Sequence, residues 1–149
     1  MENLTVLNSK ERKNIFRMLK EQFDSDFGEE YEFFINPRNR IFIISKDFSK
    51  IDVKELRVNS LGLYLGELYH EELRLSVDGA QIVGKNAKKN IIELNDEDSE
   101  RWMKGEDFDV DSDLSGFVIV KNGSDIMGCG KIANKRLYNY VPKERRVNC

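Results

Sequence analysis

The chain has 149 residues, is 40% hydrophobic and 34% charged, and carries a formal net charge of −3. That length can bury a core in one domain or two small ones, and no apolar stretch approaches the roughly 20 residues of a membrane-spanning helix. Two cysteines, Cys129 and Cys149, exclude a disulfide framework and a four-ligand zinc site, and the charged run from Met1 to Lys20 is unlike a secretory leader, so the expected setting is cytoplasmic.

Asn8-Ser9-Lys10-Glu11 reads as a helix start, with Asn8 as cap and Glu11 completing a capping box. Ile15, Phe16, Leu19 and Phe23 then share one helical face, and the helix should end by residues 24–26. Residues 32–36 and 40–45 read as two strands around Pro37-Arg38-Asn39, the second with a continuous apolar run, Ile41 to Ile44, as in a strand buried on both faces. Residues 47–56 suggest a short helix. Residues 58–69 suggest a long strand bent at Gly62 and Gly66. His70-Glu71-Glu72 is a turn, and the expected domain seam lies between Tyr69 and Leu73, which would make a fragment starting at Glu72 a self-folding unit.

Ser76 should cap a short helix through Ile82, ending near Gly84. A basic loop with Lys88 and Lys89 follows, then a strand at residues 91–94. Asn95 should cap a helix with acidic residues in its first turn and Gly105 at its end, Trp102 facing the core. Asp107 to Asp113 reads as an acidic loop. Its alternating aspartates lack the glycine and terminal glutamate of an EF-hand loop. Phe117 to Val120 is an apolar strand, Asn122-Gly123 a tight turn, and a return strand from about Asp125 carries Gly128-Cys129-Gly130. Glycines inside a strand mark the close approach of another backbone or a ligand, or a β-bulge.

Charge is segregated along the chain. Residues 1–92 are neutral overall, residues 93–115 carry −8 and residues 116–149 carry +5. In the last stretch Lys131, Lys135, Arg136, Lys143, Arg145 and Arg146 are interleaved with Tyr138 and Tyr140. Cations that take phosphate beside aromatics that stack bases are the makings of a nucleic-acid surface.

Three segments in this half carry a family resemblance. Gly116-Phe117-Val118, then Met127-Gly128-Cys129-Gly130-Lys131, then Leu137-Tyr138-Asn139-Tyr140-Val141-Pro142-Lys143 resemble the C-terminal PUA-like RNA-binding domain of NOL/Nop/Sun-type RNA cytosine-C5 methyltransferases. Residues 94–105 resemble that domain's short acidic helix. The likeness runs from about Leu73 to Arg146 and departs at Tyr138, where the family pattern has lysine. The order of elements, with Leu61 to Glu67 and Leu73 to Ser76 as a junction, also resembles two-domain ribosome-biogenesis factors that place a small α+β domain before a PUA domain.

The resemblance implies an α+β fold, with a small mixed domain over residues 1–70 and a PUA-like β pseudo-barrel with short helices over residues 71–149. It implies RNA, tRNA or rRNA, as partner, and a role in RNA modification or ribosome biogenesis beside a separate modifying enzyme or ribosomal protein. The expected RNA-binding residues are Lys88, Lys89, Lys121, Gly128, Gly130, Lys131, Lys135, Arg136, Tyr138, Asn139, Tyr140, Lys143, Arg145 and Arg146. Pro142 is expected to hold the last three cations on an extended segment.

No catalytic residue, metal or cofactor is expected. A glycine-rich strand-to-helix turn for S-adenosylmethionine is missing from the pattern, His70 is the one histidine, and Cys129 aligns within the RNA-binding domain rather than with a nucleophile. Two other roles remain open at this level. Residues 93–113 could dock a basic protein partner, or the chain could itself be an RNA methyltransferase.

Overall fold

The structure, a computed structural model, describes residues 3–46 and 62–146. The expected helix at residues 47–56, the start of the strand expected from residue 58, and Cys149 lie outside the described residues. The architecture is α+β, with two five-stranded sheets and three helices among the described residues, the second sheet curling into a half-barrel.

The first sheet runs β1 (Thr5–Val6), β2 (Tyr31–Ile35), β3 (Arg40–Ser45), β4 (Leu63–Tyr69) and β5 (Glu72–Leu75), in that order and antiparallel throughout. Helix α1 (Ser9–Phe23) packs on it. Its cap is the expected box: the Asn8 side chain accepts from the Glu11 N–H at 2.8 Å, and the Glu11 carboxylate accepts from the Asn8 N–H at 3.0 Å. Ile15, Met18, Leu19 and Phe23 are buried. In β3, Ile41, Ile43 and Ile44 are buried while Phe42 is half-exposed. The bend expected near Gly66 is present as a register shift in the β3–β4 pairing, between the Ile41–Gly66 and Phe42–Tyr64 pairs.

The second sheet has the order β6 (Ile91–Glu93), β8 (Gly116–Asn122), β9 (Asp125–Ala133), β10 (Arg136–Asn139) and β7 (Phe108–Asp109). All pairs are antiparallel except β6 with β8. Helix α2 (Val77–Val83) starts at Ser76, whose hydroxyl oxygen accepts from the Gly79 N–H. Helix α3 (Asp96–Met103) starts at Asn95, whose side chain accepts from the Asp98 N–H.

Two details differ from the sequence expectation. Asn122 pairs with Asp125, so the tight turn is centred on Gly123-Ser124, not Asn122-Gly123. Within that turn, Gly123 has positive φ (59°), as a glycine in the first central position allows. The acidic loop also contains β7, which pairs with β10.

Strand β8 serves two cores at once. Phe117 and Ile119 join a core with α1, α2 and the first sheet, while Val118 and Val120 face Trp102, Phe108, Ile132 and Leu137 inside the half-barrel. Alternate side chains of a strand point to opposite faces, so a run of four apolar residues is what a strand between two cores requires.

The boundary expected near residue 70 falls in the turn of the β4–β5 hairpin, where Tyr69 pairs with Glu72 and Glu67 with Arg74. The core on α1 extends through Leu73, Leu75, Ala80 and Val83 to Phe117, Ile119 and Cys129. Helix α1 reaches across as well. The Gln22 side chain donates to the Leu73 carbonyl at 3.1 Å and accepts from the Leu73 N–H at 2.7 Å. The Phe23 carbonyl accepts from the N–H groups of Lys88 and Lys89, and the Asn90 side chain donates to the Gln22 carbonyl. We therefore propose one cooperative unit. The whole chain should melt in one transition by circular dichroism, and a fragment from Glu72 onward should melt without cooperativity. A sharp, two-state melt of that fragment would restore the boundary at residue 70.

Candidate nucleic-acid interface

The glycine step is occupied from inside. Gly128 has φ of 141° and sits at a bulge, where Val120 pairs with Gly128 but Lys121 pairs with Ile126. The extra residue, Met127, has its carbonyl 3.3 Å from the Trp102 indole nitrogen, which donates to it. A Cβ on Gly130 would lie 2.8 Å from Trp102, from Leu137 and from the Tyr138 carbonyl. Gly128 and Gly130 are buried. The close approach that Gly130 permits is that of Trp102, whereas Gly128 supplies the positive φ that the bulge requires.

Several expected contacts are likewise taken up by the fold. Asn139 donates from its side chain to the Trp102 carbonyl at 2.8 Å and accepts from the Val141 N–H at 2.8 Å, so it ties β10 to the end of α3. Arg146 donates to the Val141 carbonyl at 2.9 Å and lies where a Cβ on Gly105 would be. Gly105 is thus more than a helix stop. Lys143 to Arg145 form a single 3-10 turn after Pro142, not an extended segment. Arg145 faces Asp78 at 3.5 Å.

The acidic segment neutralises the far turn of the basic one. Lys135 meets Asp113 at 3.3 Å and Arg136 meets Asp109 at 3.0 Å. Asp107 accepts the Asn139 N–H at 2.7 Å. Three aspartates that could have docked a basic partner therefore hold β10. Lys121 lies 3.8 Å from Glu93. Lys88 and Lys89 leave their side chains exposed on the loop before β6.

What the structure does bring together is an aromatic and cationic row. Phe117, Lys131 and Tyr138 lie directly across β8, β9 and β10 from one another. The Lys131 ammonium sits 5.5 Å from the centre of the Phe117 ring. Tyr140 approaches Phe117 at 6.2 Å between centroids, and Tyr69 at 6.4 Å. The Arg74 guanidinium lies 4.9 Å above Tyr140, held there by a 2.6 Å ion pair with Glu67. A groove continues from Tyr140 between the sheets, lined by Arg40, Tyr64, Arg74 and Arg145. Burial raises the Tyr64 phenol above its ordinary range, so it stays a neutral donor. Sequence reasoning found Lys131, Tyr138, Tyr140 and Arg145 but missed Tyr69, Arg74, Arg40 and Tyr64. The available signal was the turn at His70-Glu71, which pairs Glu67 with Arg74 once residues 63–75 are read as a hairpin.

Against this geometry, residues 89–147 match the family model described as the methyltransferase RsmF PUA domain. Those residues are a PUA domain of the RsmF type. The matched stretch takes in every strand of the second sheet together with α3. The chain is 30% identical over 105 residues to the ribosomal RNA small subunit methyltransferase F of Aeromonas hydrophila, covering 70% of this chain and 22% of that protein. It is 27% identical over 143 residues to the protein of that name from Vibrio campbellii, covering 92% and 30%, and 25% identical over 137 residues to that of Aliivibrio fischeri, covering 92% and 28%. The chain thus spans less than a third of the length of these relatives. No described helix is long and apolar enough to cross a membrane.

Cys129 of the PUA domain is fully enclosed, its thiol 3.7 Å from the Gly130 carbonyl. Burial pushes its pKa up to about 12 from an ordinary 9.0, so it is a protonated packing residue. Peptide mapping after iodoacetamide treatment near pH 8 should find Cys129 unmodified in native protein and alkylated in denaturant. The folded pKa is the higher one, so the unfolded thiol ionises first. The contribution of this group to stability is intact below pH 9.0 and falls as pH rises from there toward about 12.

Gly130→Val should cost about 3 kcal/mol, because the added carbons overlap Trp102 and the Tyr138 backbone, and it should shift Trp102 fluorescence. Gly123→Ala, with nothing within 4 Å of its Cβ, should cost about 1 kcal/mol from backbone strain and leave the fluorescence unchanged. Chemical denaturation of the two variants distinguishes these outcomes.

Proposed function

We propose that this chain binds small-subunit ribosomal RNA and holds it for cytosine methylation, with methyl transfer supplied by a separate catalytic domain. The observation that supports this reading is the match of residues 89–147 to the RsmF PUA domain, lying on a sheet that presents cations and tyrosines along one row. The relatives named above are ribosomal RNA methyltransferases, which favours rRNA over tRNA as the substrate class.

The chemistry these side chains offer is that of holding rather than reacting. Lysine and arginine contribute phosphate contacts, and tyrosine contributes a flat face for a base. Among the described residues, no group of three or more His, Cys, Asp or Glu side chains is arranged to hold a metal ion. The chain on its own should incorporate no labelled methyl group from S-adenosylmethionine into rRNA.

Equilibrium binding of the chain to a 16S rRNA fragment and to bulk tRNA, each at low and moderate salt, tests the reading. The rRNA fragment should bind more tightly, with affinity falling as salt rises by about 0.7 to 0.9 in log–log slope for each phosphate contacted. Lys143→Ala with Arg145→Ala should flatten that slope by up to about 2, less if the Asp78 pair holds Arg145 away from phosphate. Absence of binding to either RNA at low salt would overturn the reading, and equal binding to both would remove its rRNA preference.

A further inference from the structure

The three most exposed aromatic side chains among the described residues are Tyr69 at 51%, Tyr140 at 41% and Tyr138 at 37%. They come from two distant places in the chain, Tyr69 from the end of β4, and Tyr138 and Tyr140 from within β10 and just after it. All three gather around one centre. Tyr69 and Tyr140 rest against the buried ring of Phe117, and Tyr138 pairs across the sheet with Lys131, which covers the same ring.

Exposing three tyrosines side by side forgoes the burial that aromatic rings contribute to a core. A scattered exposed aromatic is ordinary, but a cluster with interleaved cations is a surface made for a partner. The cations decide which partner. Lys131 is partly exposed, with its ammonium over the Phe117 ring. Arg74 is fixed in place by Glu67 with its plane near Tyr140, and a single carboxylate leaves part of the guanidinium's five donors available. Flat rings spaced between cations are complementary to unpaired bases spaced between phosphates. A duplex hides its base faces and offers only its backbone and groove edges.

We propose that Tyr69, Tyr138 and Tyr140 form a stacking platform for single-stranded RNA, with Arg74 and Lys131 taking the flanking phosphates. The platform rests on the RNA-binding reading and deepens it. It also predicts that recognition needs both sheets, because Tyr69 and Arg74 belong to the β4–β5 hairpin whereas Tyr138, Tyr140 and Lys131 follow from the PUA domain. Bound RNA would then lie across the junction, with two or three nucleotides unstacked from their neighbours and stacked on protein.

The test uses the full chain, a fluorescein-labelled single-stranded oligoribonucleotide with one internal 2-aminopurine, and the duplex of the same sequence. The wild-type chain should prefer the single strand and change the 2-aminopurine emission on binding. Tyr69→Leu and Tyr140→Leu should each weaken single-strand binding about tenfold, and the double variant more, while leaving duplex binding and the salt slope as they were. Tyr140→Phe should retain affinity, because stacking needs the ring and not the hydroxyl. Lys88→Ala with Lys89→Ala, away from the platform, should alter the salt slope and spare the 2-aminopurine signal. Thermal melts of each variant, and the exposed position of Tyr69, separate lost contacts from lost folding. Leucine variants that are folded and bind the single strand like wild type would overturn the platform while leaving RNA binding intact. A wild-type chain that binds neither RNA would overturn both.

Discussion

Trp102 seated on a strand that carries no side chains beneath it is the contact from which the half-barrel is built. The indole is fully buried, seated where Gly130 offers no Cβ and beside the bulge at which Gly128 adopts a φ of 141°. Its N–H is satisfied by the carbonyl of the bulged Met127, so the largest side chain in the core leaves no polar atom stranded. From the other direction, Asn139 reaches the carbonyl of Trp102 itself. Helix α3, the bulge in β9 and the end of β10 are thereby fixed to one residue. The row of Phe117, Lys131 and Tyr138 on the opposite face inherits its geometry from that arrangement, since the bulge sets which residues of β9 face outward.

The second organising feature is that β8 is shared. One face of it closes the half-barrel and the other closes the core that α1 and the first sheet need. The junction between the two sheets is therefore apolar, packed and continuous. This gives the aromatic surface at its rim a rigid base. Tyr69 and Tyr140 are held by the same Phe117 ring although they arise from different sheets.

Much of this was legible locally. The caps at Asn8, Ser76 and Asn95 depend on a few neighbouring residues, and each of them is present. The burial of Trp102, the apolar strand at residues 117–120 and the PUA likeness also followed from short patterns. Distant pairing was not legible. Whether Asn122 or Gly123 opens the turn depends on how β8 and β9 are registered. Strand β7 is two residues long and exists because β10 lies beside it. The basic tail read as a uniform surface, yet Arg136, Asn139 and Arg146 are engaged by residues 107–109, by Trp102 and by Val141 respectively. The glycines were recognised as marking a close approach, but the sequence gives no means of telling an indole from a ligand. The boundary expected at residue 70 rested on a turn, and a turn between two strands of a hairpin has the same composition as a turn between domains.

The parallel pairing of β6 with β8 sets the order in which this chain can assemble. Antiparallel neighbours such as β8, β9 and β10 are joined by short turns and can zip together from local contacts. Strand β6 finds its place only after residues 94–115, with α3 and the short β7, have been carried over as a crossover. That stretch holds most of the excess negative charge, and its aspartates meet Lys135 and Arg136 only when β10 is already formed. Closing a loop of this length costs entropy before any contact is made. The meander of β8 to β10 is thus the template on which the acidic crossover settles, and the electrostatic attraction between the two segments acts late, guiding the closure of the half-barrel rather than starting it.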